Sequence, residues 1–195
     1  MRVYILNVSK INPSDEKWYP LLSPKRREKV TRLKPKEKKA QSIGVELLLR
    51  NAVMDETGKN EMVMWDTDEN GKLYLTKHPE IHVNLSHSGD YAVCAISTKP
   101  VGIDIQHCAP YDGMINRFLH ADEIKYIETS ADEASAFYEV WTKKESLFKA
   151  CGKGISAGLN TVSVLTDTVS YDGKKYTFRE YTLLDDYKFF VCLES

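Results

Sequence analysis

The chain has 195 residues, 42% hydrophobic and 28% charged, which is ample for a folded core and fits one large domain or two small ones. With 27 basic and 28 acidic residues the net charge is -1, so no global field points to nucleic acid or membrane. Four scattered cysteines without a C-x-x-C pair argue against a disulfide frame or a zinc site, and no apolar run approaches the roughly 20 residues of a membrane span. The N-terminus alternates like a strand and lacks a signal-peptide core, so a cytoplasmic protein is expected.

Residues 2–8 read as a strand. Ser23-Pro24 has the form of an N-cap followed by proline at the first helical position, opening a short basic helix. Pro35 begins a second helix, with Ile43, Leu47, Leu48 and Met54 as its core face and Gly58 as its stop. Strand-like pieces follow at 62–66, 72–75, 81–85 and 91–97, with an Asn70-Gly71 turn between the first two. Ser97-Thr-Lys-Pro100 is the best internal boundary, dividing the chain into 1–98 and 101–195. The second part restarts with a short apolar strand at 101–105. Helices are expected at about 113–128 and 131–151, then strands near 160–166, 175–184 and 187–193, with turns at Asp172-Gly173 and Asp185-Asp186. The fold class is α+β, in two packed subdomains.

Four places carry possible chemistry. Lys25 to Lys39 holds nine Lys/Arg in fifteen positions, either a solvated helix face or an anion site suited to phosphate. Asn84-Leu-Ser-His-Ser-Gly89 ends a strand with hydroxyls, an imidazole and a glycine, a composition that either forms a plain turn or cradles phosphate, with His87 adding charge. Asp104 sits between Ile103 and Ile105 in an apolar strand, on the opposite face from both, as a solvent-facing acid or a metal ligand.

The fourth place is Trp141-Thr-Lys-Lys-Glu-Ser-Leu-Phe-Lys149, in a run that Ser130 and Glu133 open with capping-box spacing and Gly152 closes. Phe137, Val140, Trp141, Leu147, Phe148 and Cys151 share one helical face. Lys144 falls in the middle of that face, while Glu145 and Lys149, one turn apart, lie along its edge. A buried lysine is costly unless an opposite charge meets it, and a snorkelling surface pair is the simpler alternative. Two carboxylates from separate elements, with cations nearby, suit Mg²⁺ bound to a phosphorylated substrate.

The strand Val-Gly-Ile-Asp-Ile (101–105), followed downstream by Trp-x-x-Lys-Glu-Ser-x-x-Lys (141–149), resembles the phosphopantetheinyl transferases of the surfactin-synthetase-activating type. Asn-Leu-Ser-His-Ser, Gly71-Lys72 and Ser23-Pro24-x-x-Arg-Glu-Lys29 match further motifs of that family, so the likeness runs from about residue 20 to residue 155. It implies two similar α/β halves related by a pseudo-twofold axis, with coenzyme A bound between them. The implied activity, of the holo-[acyl-carrier-protein] synthase type, moves phosphopantetheine from coenzyme A to a serine of an acyl or peptidyl carrier protein. Carried over by position, Asp104 and Glu145 are Mg²⁺ ligands, and Glu145 is also a candidate base for the serine. Lys149 contacts the pyrophosphate, with Lys144 beside it. Arg26, Lys29, Ser42, Lys72, Ser86 and His87 are phosphate or nucleotide contacts. Gln106 departs from the family, which often has a carboxylate there; an amide oxygen can still ligate the metal but adds no charge. A non-catalytic coenzyme A-binding module is the competing class; a metal-dependent phosphohydrolase is a third. The family's fused halves imply a monomer. Tyr111 to Phe118, with Met114, Ile115 and Arg117, is a candidate docking segment for the carrier, or else core packing.

Overall fold

The computed structural model describes residues 1–110, 118–153, 158–182 and 184–195. The docking candidates Met114, Ile115 and Arg117, and the start of the helix expected at 113, lie outside them.

The chain opens with strand β1 (Arg2–Asn7). Helix α1 (Pro24–Arg32) follows, capped by the Ser23 side chain, which accepts from the Arg26 N–H, and α2 (Lys36–Thr57) ends at Gly58 in the left-handed region (φ 70°). A two-stranded hairpin, β2 (Trp65–Thr67) and β3 (Leu73–Leu75), leads into β4 (His82–Ser88) and β5 (Tyr91–Ser97). The first sheet has the order β1-β5-β4. Strand β6 (Val101–His107), helices α3 (Ala121–Glu128) and α4 (Glu133–Cys151), and strands β7 (Thr168–Tyr171), β8 (Lys174–Glu180) and β9 (Tyr187–Glu194) build a second sheet in the order β6-β9-β8-β7. Both sheets are wound alike. The first strand pairs antiparallel with the last, the last with the one before it, and two helices are inserted after the first.

Alternation along the strands then stacks the layers as helix, sheet, sheet, helix. Ala92, Cys94 and Ile96 of β5 pack with α2, while Val93 and Ala95 meet Val101, Ile103 and Ile105 of β6 and Phe189 and Val191 of β9. Phe190 and Cys192 face the other way, onto Phe137, Val140, Leu147 and Phe148 of α4. The β4–β5 turn is clasped by the other half of the chain: Tyr187 Oη accepts the Asp90 N–H at 3.1 Å. Gly89 makes this possible, with φ at +49° and only 2.4 Å between a would-be Cβ and the Tyr187 oxygen.

Two expectations are corrected. Helix α4 is capped by Asp132, whose side chain accepts from Ser135, and the capping box belongs to α3, between His120 and Glu123. Residues 160–166 form no strand but a 3-10 turn (Leu159–Thr161) and irregular chain. The reason is the lysine that the sequence placed on an apolar helix face. Lys144 is fully buried, paired with Glu123 at 2.8 Å, and donates to the carbonyls of Leu159 and Val162 at 2.6 Å each. Glu123 in turn accepts the N–H of Val164 and of His120. The backbone groups that a strand would pair are satisfied by a buried ion pair. Strand β7, which then pairs with β8 through the Asp172-Gly173 turn, was not anticipated. The four cysteines are unpaired, and among the described residues no helix is long and apolar enough to cross a membrane.

Candidate active site between the two halves

Strand β6 turns Gly102 and Asp104 toward α4. A Cβ at Gly102 would lie 1.9 Å from the Ser146 carbonyl oxygen and 2.4 Å from the Ala150 nitrogen, so only glycine lets the helix backbone come this close. This approach puts Asp104, 1% exposed, within reach of the end of α4. Lys149 Nζ lies 2.6 Å from Asp104 Oδ1 and also donates to the Ile103 carbonyl (3.2 Å) and to Ser86 Oγ (3.3 Å). Asp104 is therefore no solvent-facing acid.

Glu145, one turn before Lys149, is buried beside this pair, and among the described residues no hydrogen bond or ion pair engages its carboxylate. Burial pushes its pKa up to about 7; the Asp104 charge adds to the rise and the Lys149 ammonium opposes it. A buried carboxylate this poorly compensated, next to a second one, suits a cation.

These groups stand at one end of a cleft of about 760 Å³ lined from both halves: α1, the β2–β3 hairpin and β4 on one side, α4 on the other. Its cations are Lys25, Arg26, Lys29, Arg32, Lys72, Lys149 and Lys153, against the acids Glu28 and Glu145. Most have partners: Lys25 with Asp66, Arg26 with Glu46, Arg32 with Glu28, and Lys153 with Asp172. Lys72 donates to the Ala150 carbonyl at the end of α4. Lys29 alone in this set has no ion pair or hydrogen bond to its ammonium among the described residues, and burial together with the Arg26 charge lowers its pKa. An ammonium without a partner of its own, at the exposed rim of the cleft, suits an anion.

A model of the 4'-phosphopantetheinyl transferase superfamily matches residues 100–192. A 4'-phosphopantetheinyl transferase of Bacillus subtilis is 31% identical over 191 residues, covering 91% of this chain and 84% of the relative. The chain belongs to the 4'-phosphopantetheinyl transferase family. The transferase Sfp of Bacillus subtilis (strain 168) is 31% identical over 154 residues, 77% of this chain and 69% of its own. Transferase gsp of Aneurinibacillus migulanus is 36% identical over 157 residues, 75% of this chain and 65% of its own.

In this transferase Glu145, Lys149, Lys72, Arg26, Lys29 and His87 line the cleft, with Asp104 buried behind Lys149, but three expected contacts lie elsewhere. Lys144 is consumed by Glu123 and the carbonyls described above. Ser42 is buried, and its hydroxyl accepts from Arg26 Nη1 at 3.5 Å, so it meets the arginine and does not line the cleft. Ser86, 8% exposed, turns its hydroxyl to Asp104. Gln106 presents its amide nitrogen, not its oxygen, to the metal-ligand candidate: Nε2 donates to Asp104 Oδ2 at 3.0 Å. His87 keeps an exposed edge at the cleft, and partial desolvation there, followed by the cations Lys38, Lys29, Lys149 and Arg26, lowers its pKa, so added charge on it is disfavoured beside those cations.

Glu46 escaped the sequence reading of the transferase. It is 2% exposed, pairs with Arg26 Nε at 3.0 Å, and accepts from the Ser23 N–H and the Trp65 indole N–H. Arg26 is thereby held over the Trp65 ring, 5.0 Å from its centroid. The available signal was an acid three residues after Ile43, on the buried face of α2.

Proposed function

We propose that this transferase moves the 4'-phosphopantetheine group of coenzyme A onto a serine of an acyl or peptidyl carrier protein and releases adenosine 3',5'-bisphosphate. The observation that carries the reading is the cation-lined cleft between the halves, ending at Asp104, Glu145 and Lys149. We take 1–98 and 101–195 as the two subdomains that form it. Lys29, Lys25, Arg32 and Lys72 supply the positive charge for three phosphates, and Lys149 stands where the pyrophosphate meets the carboxylates. The serine oxygen bonds to the phosphorus that carries pantetheine, and the bond from that phosphorus to the oxygen bridging to the adenylate breaks, leaving its electrons on that oxygen. Glu145, buried one helical turn from Lys149, is the group assigned to accept the hydroxyl proton. Asp104 and Glu145 would hold Mg²⁺; a donor set of two carboxylates is what this ion takes when phosphate oxygens and water complete its shell. Bound there, the ion supplies charge neutralisation to the phosphate oxygens. Cytoplasmic residence and a monomer belong to the same reading, supported by unpaired cysteines and a site made within one chain.

Intact-mass spectrometry of several apo carriers, incubated with coenzyme A, Mg²⁺ and the protein, tests this. A carrier gaining one phosphopantetheinyl group is the expected result. Retention of coenzyme A without release of adenosine 3',5'-bisphosphate would mark a binding module, and release without any carrier would mark a hydrolase.

Two side-chain predictions arise here. Lys29→Ala weakens coenzyme A by about tenfold, since charge-assisted hydrogen bonds contribute roughly 1.5–3 kcal/mol, and weakens dephospho-coenzyme A much less if Lys29 meets the 3'-phosphate. Calorimetry with both ligands checks it. Arg26→Ala is unsuitable for this purpose, because it strands the buried Glu46 carboxylate. Gln106→Glu lowers the Mg²⁺ concentration for half-maximal rate and, in chelator, lowers the melting temperature, since it replaces a donor to Asp104 with a like charge. An unchanged Mg²⁺ titration would show that residue 106 does not bear on the ion.

A further inference from the structure

Strand β6 is an edge of its sheet, and its outward N–H groups need partners. The partners are side chains of β4. Asn84 Oδ1 accepts from Ile103 N (2.9 Å), Ser86 Oγ from Ile105 N (3.5 Å) and Ser88 Oγ from His107 N (3.0 Å), each pair 19 residues apart. The Asn-x-Ser-x-Ser pattern is thus a ladder of side chains that finishes the edge of a strand in the other half, and it fixes the register between the two halves.

The middle rung does more. Ser86 Oγ accepts from Ile105 N and from Lys149 Nζ, so its single proton goes to Asp104 Oδ1, 2.6 Å away. Asp104 Oδ1 then receives two donors, Ser86 and Lys149, and has no acceptor position left. Oδ2 receives one, from Gln106 Nε2, and keeps one open. Ser86 and Asp104 both lie just behind the wall of the cleft, which Asn84, Leu85, His87, Glu145 and Lys149 line, and the Ser86 hydroxyl is spent on Asp104.

We infer that Ser86 is a positioning residue and not a phosphate contact: it reaches across the joint between the halves and holds Asp104 so that Oδ2 is the oxygen offered to a divalent cation. This rests on the functional reading above. It also ties the cation site to the register of the two halves, because the residue that aims the ligand and the ligand itself come from different sheets.

The test uses the whole protein and two readouts other than turnover. Coenzyme A affinity is measured by calorimetry in chelator, and Mn²⁺ affinity of the coenzyme A-saturated protein by electron paramagnetic resonance. In Ser86→Ala, Mn²⁺ affinity is expected to fall 10- to 100-fold, the range for lost partners of metal ligands, while coenzyme A affinity in chelator stays within about twofold. Ser86→Thr, which keeps the hydroxyl, restores Mn²⁺ affinity. Ser86→Cys, near in size but a weak donor, carries the same readouts should the alanine variant not fold. Unchanged Mn²⁺ affinity, or a loss that appears in chelator as weaker coenzyme A binding, overturns the proposal and returns Ser86 to the phosphate contacts. A wild-type protein that binds no coenzyme A fails the functional reading itself, and that arm is read before any variant.

Discussion

Glu145→Gln abolishes transfer and, in chelator at pH 8, makes the protein more stable. Glu145 is 7% exposed and the pKa of its carboxyl in the folded protein is pushed up to about 7 from an ordinary value of 4.5, chiefly by burial. A carboxyl whose folded pKa lies above its unfolded one makes the native state bind more protons than the unfolded state between these values. Stability therefore falls as pH rises from 4.5 to 7, and the cost is fully present above 7. The amide removes a charge that burial disfavours, a gain on the order of 1–3 kcal/mol, or roughly 2–10 °C in a chain of this size. Thermal denaturation at pH 8 and pH 5 checks the sign: the variant's advantage should shrink at pH 5, where most of the wild-type carboxyl is protonated. Mg²⁺ with coenzyme A should narrow the gap at pH 8, because it gives the wild-type carboxylate a partner. Turnover should drop by at least about 10²–10³-fold, the scale on which lost transition-state electrostatics is felt. Retained turnover in Glu145→Gln removes this residue from the site. Asp104→Ala is a harsher change than the sequence suggested, since it also strips Lys149, Ser86 and Gln106 of their common partner; Asp104→Asn tests the charge with less damage.

Gly102→Ala is the second large effect, and it arises without touching a reacting group. The added methyl would meet Ser146 O, Ala150 N and Lys149 C, all of them backbone, at 1.9, 2.4 and 3.0 Å. No rotamer relieves such a clash, so α4 must lift from β6. Overpacking of this kind costs about 3 kcal/mol or more, a fall in melting temperature of roughly 6–12 °C. The displaced helix carries Glu145 and Lys149 away from Asp104, so transfer should fail even at temperatures where the variant is folded. Near-native circular dichroism together with wild-type turnover would mean that the helix accommodates a methyl and that the close approach is incidental.

The elements and the pieces of chemistry were legible because their signals are local. Ser23-Pro24, Gly58 and Gly152 mark helix ends through capping and backbone angles, and Asp172-Gly173 marks a turn through residues that accept positive φ. Alternation set the two faces of the 101–105 strand, and the spacing of Glu145 and Lys149 put them one helical turn apart. Which partner each buried polar group finds is another matter. Lys144 meets Glu123 instead of the cleft, and that choice dissolves the strand expected at 160–166. Ser86 meets Asp104 because β4 lies along the bare edge of β6, and Gln106 turns its nitrogen to the same carboxylate. Glu46 holds Arg26 from a different helix. Hydrogen bonds and ion pairs act over a few ångströms between residues far apart in the chain, so capping, periodicity and turn chemistry carry no information about them. They are decided when the two sheets close on each other and every buried donor and acceptor must be satisfied at once.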